Sequence, residues 1–248
     1  ADLSHPARMA LEPLAQPAAA AALRDALSKV QGQQLLGVIS SVGTRRDAQA
    51  VSALRGLTSD NDATIAGAAI TALGEIGTEE AARALDALQV PAALTRTLAR
   101  AKIAAANRLT SAGKTDAAAG AYQTLLQPQQ PEAIRVAALK GLLGTLPPAE
   151  AVRQFVDVIQ GDDAALRTAA LAAYVGSSNR ALKDAVAAAL PAMKPAGQLV
   201  LLGILSGEAD VAARPVVLKV VEAGEVDVRV AALECLALHG EAADVALV

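Results

Sequence analysis

The chain has 248 residues and a net charge of −3, and it is 53% hydrophobic but only 1% aromatic. Dispersed charges of both signs exclude a basic field that would gather phosphates, and a single cysteine, Cys235, excludes an internal disulfide or a Cys-rich zinc site. The apolar surplus is mostly Ala, Leu and Val; Ala and Leu lose little side-chain freedom in a helix, so the composition points to small-residue helices stacked in thin layers.

Residues 1–30 read as a degenerate first helix pair, HPARMALEPL followed by PAAAAALRDALSKV. The chain starts at Ala1, which a removed leader peptide or a cut from a longer chain would both explain. A pattern then recurs. An apolar anchor stands seven residues before a glycine at Leu36 and Gly43, Ile70 and Gly77, Ala106 and Gly113, and Leu233 and Gly240. Shorter versions are Leu139 with Gly144, Leu171 with Gly176, and Leu202 with Gly207. Successive anchors are 31 to 36 residues apart, a solenoid spacing.

Each unit predicts an Ala-rich amphipathic helix closed by its glycine, a residue that adopts the left-handed C′ position without strain. A polar turn follows, such as TEE after Gly77 or SSN after Gly176, and then a second helix, as at 81–88 and 151–159. Polar breaks at 59–62, 127–131 and 161–163 supply Asp and Ser as N-caps, and Pro91, Pro131 and Pro148 fall near helix starts. No run of alternating β-branched residues is present, so no sheet is predicted. One helix pair cannot bury its apolar face alone, and stacking many pairs makes a continuous core. The apolar stretch 195–207 is too short to span a bilayer. After Gly240 only EAADVALV remains; its apolar end has no polar cap, which predicts a chain that continues or an end that docks, in a fragment of a larger protein.

Ile134-Arg135-Val136-Ala137-Ala138-Leu139, Leu166-Arg167-Thr168-Ala169-Ala170-Leu171 and Val228-Arg229-Val230-Ala231-Ala232-Leu233, with the turn Leu73-Gly74-Glu75-Ile76-Gly77, carry a resemblance. Residues 31–248 resemble HEAT repeats, particularly the short bacterial type similar to phycobilisome-lyase repeats. Residues 91–127 depart from it: the helices look longer, and Ala106, Gly120, Ala121 and Tyr122 resemble the packing of a tetratricopeptide pair. The resemblance implies one all-α domain over 1–248, a right-handed α-solenoid of about seven to eight helix pairs, with a truncated last unit at 226–248. It also implies that second helices line a concave face.

That row carries Arg45, Arg46, Arg55, Arg83, Arg153, Arg180, Lys183, Arg214 and Lys219, among acids that include Asp184. Mixed signs favour a protein partner over nucleic acid, which selects a one-sign groove with stacking aromatics. Arg45, Arg46, Arg83, Arg153, Arg180, Lys183 and Asp184 are therefore the candidate partner-binding residues. Arg135, Arg167 and Arg229 occupy equivalent positions and read as structural, bonding a carboxylate or turn carbonyl nearby. His5 and His239 lie almost a chain length apart, so no catalytic triad or His-Glu metal site forms from them. Cys235 reads as a small core residue. No glycine-rich phosphate loop follows a strand. These readings predict a non-enzymatic assembly scaffold with no cofactor and no bound metal, taking a protein or an adjoining domain as partner. The alternative is a HEAT-like lyase or an accessory subunit of an enzyme that presents a cofactor or substrate. Exported and cytoplasmic settings in a bacterium are both consistent with the sequence.

Overall fold

The computed structural model describes residues 4–208 and 211–239, and among them every regular element is helical. The expected truncated end beyond residue 239 lies outside the described residues. The helices pack in neighbouring pairs, and they form two compact units, Ala1–Thr145 and Leu146–Val248.

In the first unit, α1 (Ser4–Leu11), α3 (Gly32–Thr44), α5 (Ala63–Ile76), α7 (Thr95–Ser111) and α9 (Glu132–Thr145) pack successively on one another as one layer. The second helices α2 (Pro17–Ala26), α4 (Val51–Leu57), α6 (Glu79–Asp86) and α8 (Thr115–Thr124) pack against them as the other. The core between the layers uses Leu23, Ile39, Val42, Leu54, Ala69, Ile70, Leu73 and Leu85, each at most 2% exposed. Small residues bring the helices close. A Cβ on Gly74 of α5 would lie 2.7 Å from the Ala101 carbonyl oxygen of α7, so only glycine permits this approach. At the first pair the link is polar. Arg8 donates to the Gly37 carbonyl (2.8 Å) and to Ser41 Oγ (3.0 Å), and the buried Ser41 donates to Glu12 (2.6 Å).

In the second unit, α11 (Ala164–Val175), α13 (Pro195–Glu208) and α15 (Val226–His239) form one row, α10 (Pro148–Gln160) and α14 (Arg214–Ala223) pack beside it, and α12 (Arg180–Ala188) packs on α10. Phe155 and Tyr174, with ring centroids 5.6 Å apart, supply its aromatic contact. The stretch 195–207 lies within α13, where Leu201, Leu202 and Leu205 are buried.

Asp62, Thr78, Asp163 and Asn179 each cap a helix N-terminus by accepting from a backbone N–H within the first turn. Pro148 begins α10. The helix over residues 95–111 is the longest described, at 17 residues, in the segment whose helices look longer by sequence. The repeated arginines are structural: Arg135 donates to the Gln130 carbonyl (3.1 Å), Arg167 to Gly161 (2.7 Å) and Arg229 to Val221 (2.9 Å). Each guanidinium ties its helix to the turn or helix before it.

Two expectations are corrected by packing. Leu171 and Leu233, anchors by sequence, are only half-buried, whereas Ala170 and Ala232, one residue earlier, are each 0% exposed; the equivalent anchor Leu139 is fully buried. In those two repeats a methyl group, not an isobutyl group, is the fully enclosed side chain at that place. The expected glycine stops also differ. Gly77 (φ 59°) and Gly113 (φ 71°) are left-handed C′ residues, but Gly43, Gly144 and Gly207 lie inside helices. After α3 the left-handed residue is Arg46 (φ 53°).

Candidate functional site

Three turns of the first unit present the same backbone feature. Arg46, Gly77 and Gly113 each follow a first-layer helix in left-handed conformation. At Arg46 the amide donates to the Gly43 carbonyl (2.8 Å), and the Asp47 amide donates to Val42 (3.3 Å), the paired bonds of a Schellman motif. At Gly113 the pattern repeats, with Gly113 N–H to Thr110 (3.0 Å) and Lys114 N–H to Leu109 (2.9 Å). A non-glycine residue here is strained by roughly 1–2 kcal/mol, because its Cβ crowds the following carbonyl. Neighbours hold it in place. Arg45 donates to the carbonyls of Leu11 (2.7 Å), Glu12 (2.6 Å) and Leu14 (2.7 Å), closing the end of α1. Asp47 pairs with Arg24 and accepts from the Gln49 amide (3.1 Å).

These turns border a cleft of about 440 Å³ lined by Arg46, Ile76, Thr78, Glu79, Glu80, Arg108, Leu109, Ala112 and Lys114, together with Ala48 and Gly77. Its floor is apolar: Ile76 and Leu109 are 5% and 2% exposed. Arg108 is set by Gly77. A Cβ added to that glycine would lie 2.3 Å from Arg108 Cβ, so the missing side chain makes room for the Arg108 stem to cross the turn. Arg46 and Arg108 have no ion-pair or hydrogen-bond partner for their guanidinium groups among the described residues. Lys114 lies 3.6 Å from Glu79, which also faces Arg83 at 3.8 Å. A side recess of about 340 Å³ shares Glu79 and Lys114 and extends past Thr115 and Asp116. A smaller one between α4 and α6 is lined by Arg55, Glu80 and Arg83. The cleft thus offers an apolar floor, two uncommitted guanidiniums and a carboxylate at Glu80, chemistry that matches a negative group carried beside apolar atoms.

Of the residues chosen from sequence, Arg46 lies in this cleft and Arg83 beside it, while Arg45 closes α1. The others belong to the second unit. Arg153 is 75% exposed and stands 4.0 Å from Glu150. Arg180 and Asp184 pair with each other at 2.7 Å on α12. Lys183 sits 5.3 Å from the Tyr174 ring centroid and donates to the Val175 carbonyl at 3.4 Å. Exposed pairs of this kind contribute little to stability. Sequence reasoning missed Arg108 and Lys114. Lys114 had a signal, because it directly follows a helix-ending glycine; Arg108 reaches the cleft only through stacking against Gly77, which spacing does not reveal. Among the described residues no group of three or more His, Cys, Asp or Glu side chains is arranged to hold a metal, and no helix is long and apolar enough to cross a membrane.

No protein-family model matches the sequence, and no curated protein matches it. Solved structures do. Human deoxyhypusine hydroxylase in complex with glycerol is similar at 18% identity, covering 94% of this chain and 88% of that one with a TM-score of 0.37. The complex of CpcE and CpcF of phycocyanin lyase from Nostoc is similar at 20% identity, covering 90% of this chain and 83% of that one with a TM-score of 0.38. The expectation that the chain is not an enzyme is corrected by this finding, since the similar structures include an enzyme, deoxyhypusine hydroxylase. At these scores the likeness transfers no residue role.

Proposed function

We propose that the chain is an accessory subunit or module of an enzyme assembly, holding a segment of a partner protein at the turn-edge cleft of its first unit. The observation that carries this reading is the pair of uncommitted guanidiniums, Arg46 and Arg108, over the Ile76 and Leu109 floor. A strained backbone at Arg46 supports it, because strain that neighbouring bonds over-determine clusters at functional sites. The cleft also carries Glu79 and Glu80, which disfavours a nucleic-acid backbone as its occupant. The finer kinship with phycobilisome-lyase-type repeats, and with a tetratricopeptide pair at 91–127, belongs to the same reading; the buried Tyr122, which donates to Asn107 (2.5 Å), supports the latter. The second-row residues Arg153, Arg180, Lys183 and Asp184 are proposed as additional partner contacts.

Site-specific photo-cross-linking tests the reading. A photoreactive residue replaces Ala112, exposed in the cleft, or Gln123, exposed on α8 outside the lining residues. A partner adduct is expected from position 112 and not from 123, and it should fade in the doubly reversed variant Arg46→Glu with Arg108→Glu. Equal adducts from both positions would contradict it.

A further inference from the structure

We infer that the occupant of the turn-edge cleft is an acidic peptide segment, with a carboxylate received by Arg46 and Arg108 and an adjacent aliphatic side chain against the exposed Ala112 beside Ile76 and Leu109; this rests on the cleft being the partner site. Three observations lead there independently. The first is charge accounting. Of the ionisable groups lining the cleft, Lys114 is matched by Glu79, whereas the Arg46 and Arg108 guanidiniums are matched by none among the described residues. Two unmatched guanidiniums against the one remaining carboxylate, Glu80, leave the cleft with a surplus of positive charge.

The second is construction. Arg108 is half-buried and its stem fills space that any residue but glycine at position 77 would occupy, so its head group is positioned by the stack. Arg46 projects from a left-handed turn that glycine fills in the next two repeats. Retaining arginine there, with its planar fork of donors, fits a carboxylate that takes two parallel N–H bonds. The third is the floor. Ala112 is exposed beside the guanidiniums, next to the nearly enclosed Ile76 and Leu109, and a bare phosphate or a free inorganic anion leaves this apolar edge uncovered. Glu80 sits at the same rim and receives a backbone amide or a basic flanking residue of the segment.

Binding is read by fluorescence anisotropy of the full chain with labelled short peptides. The probes are an alternating Glu-Leu peptide, its Lys-Leu counterpart and a Glu-Ser counterpart. The Glu-Leu peptide is expected to bind at least about tenfold more tightly than either, and Arg46→Glu with Arg108→Glu should weaken it by about tenfold, from two exposed charge pairs lost and reversed. Lys194→Glu, at an exposed residue of the second unit with no part in the proposed contacts, should leave its affinity unchanged. Equal binding of Glu-Leu and Lys-Leu peptides, or no change in the doubly reversed variant, would overturn the inference. Should cross-links from position 112 reveal a partner while the Glu-Leu peptide fails to bind, the acidic class is wrong and the partner site stands; should cross-links arise equally outside the cleft, the site itself is wrong.

Discussion

Replacing Arg46 by glycine separates what this residue does for binding from what it does to folding. Its φ of 53° places the Cβ of an L-residue against the following carbonyl, a strain of roughly 1–2 kcal/mol that glycine lacks. Glycine gains more backbone freedom in the unfolded chain, which offsets about 0.5–1 kcal/mol of that relief. The net expectation for Arg46→Gly is a gain of about 0.5–1 kcal/mol. The Schellman bonds from Arg46 and Asp47 use only backbone, so they persist in the variant. The assay is urea unfolding of the full chain by circular dichroism, where a higher midpoint at unchanged slope reports a gain in native stability. Peptide affinity, measured in parallel, should fall several-fold because one guanidinium is gone. Gly113→Ala supplies the converse: nothing lies within 4 Å of its added Cβ, so its net loss of about 0.5–1 kcal/mol reads the left-handed penalty less the same backbone-freedom offset, with no steric contact added. If Arg46→Gly is destabilised while Gly113→Ala behaves as expected, the Arg46 side chain supports the fold, and strain retained for binding is refuted.

Gly74→Val should lose about 2 kcal/mol or more in the same unfolding assay, because its Cβ meets the Ala101 backbone and neither helix can recede without opening the core. Ala170→Asp should cost more than Leu171→Asp, by about 1–2 kcal/mol, since Ala170 is 0% exposed while the side chain at 171 reaches solvent; equal losses would restore Leu171 as the buried anchor. Tyr122→Phe should lose about 0.5–1.5 kcal/mol, the net worth of its bond to Asn107, without altering peptide affinity. The Asp62 carboxyl is held below its ordinary value, first by the backbone N–H of Thr64 that it accepts and then by the Thr64 side chain. A lowered folded pKa gives stability that is present above about pH 4, the unfolded value, and lost as pH falls through the folded one. Asp62→Ser keeps the cap through a hydroxyl and should remove that acid-side loss; unfolding midpoints compared above and below pH 4 check it.

The repeat, the all-helical class and the capping positions were legible because they rest on local chemistry. Asp62 and Asp163 bond amides within their own first turns, and Pro148 begins a helix where no N–H is needed. What the periodicity could not reveal depends on distances between helices. Leu171 shares its sequence position with the fully buried Leu139, yet packing leaves it half-buried while Ala170 beside it is fully enclosed. Gly43 looks like a helix stop by spacing, but a Cβ there would lie 3.1 Å from the Ala72 backbone, so it serves close packing and the stop falls three residues later. The cleft was half legible. Arg46 is singled out by sequence as part of the charged second-helix row, though it stands in the turn before that helix, while Arg108 looks like any helix-surface arginine until stacking brings its stem across Gly77.

The most direct test of the turn-edge cleft as the binding site is a methyl nuclear magnetic resonance titration of the full chain with the Glu-Leu peptide. The Ile76 and Leu109 methyls, at the floor of the cleft, should shift first and saturate together, while Val217 and Val221 on α14 stay in place. Shifts gathered on the α10 and α12 valines, Val152, Val156 and Val186, with Ile76 and Leu109 unmoved, would place binding on the second unit and contradict the account.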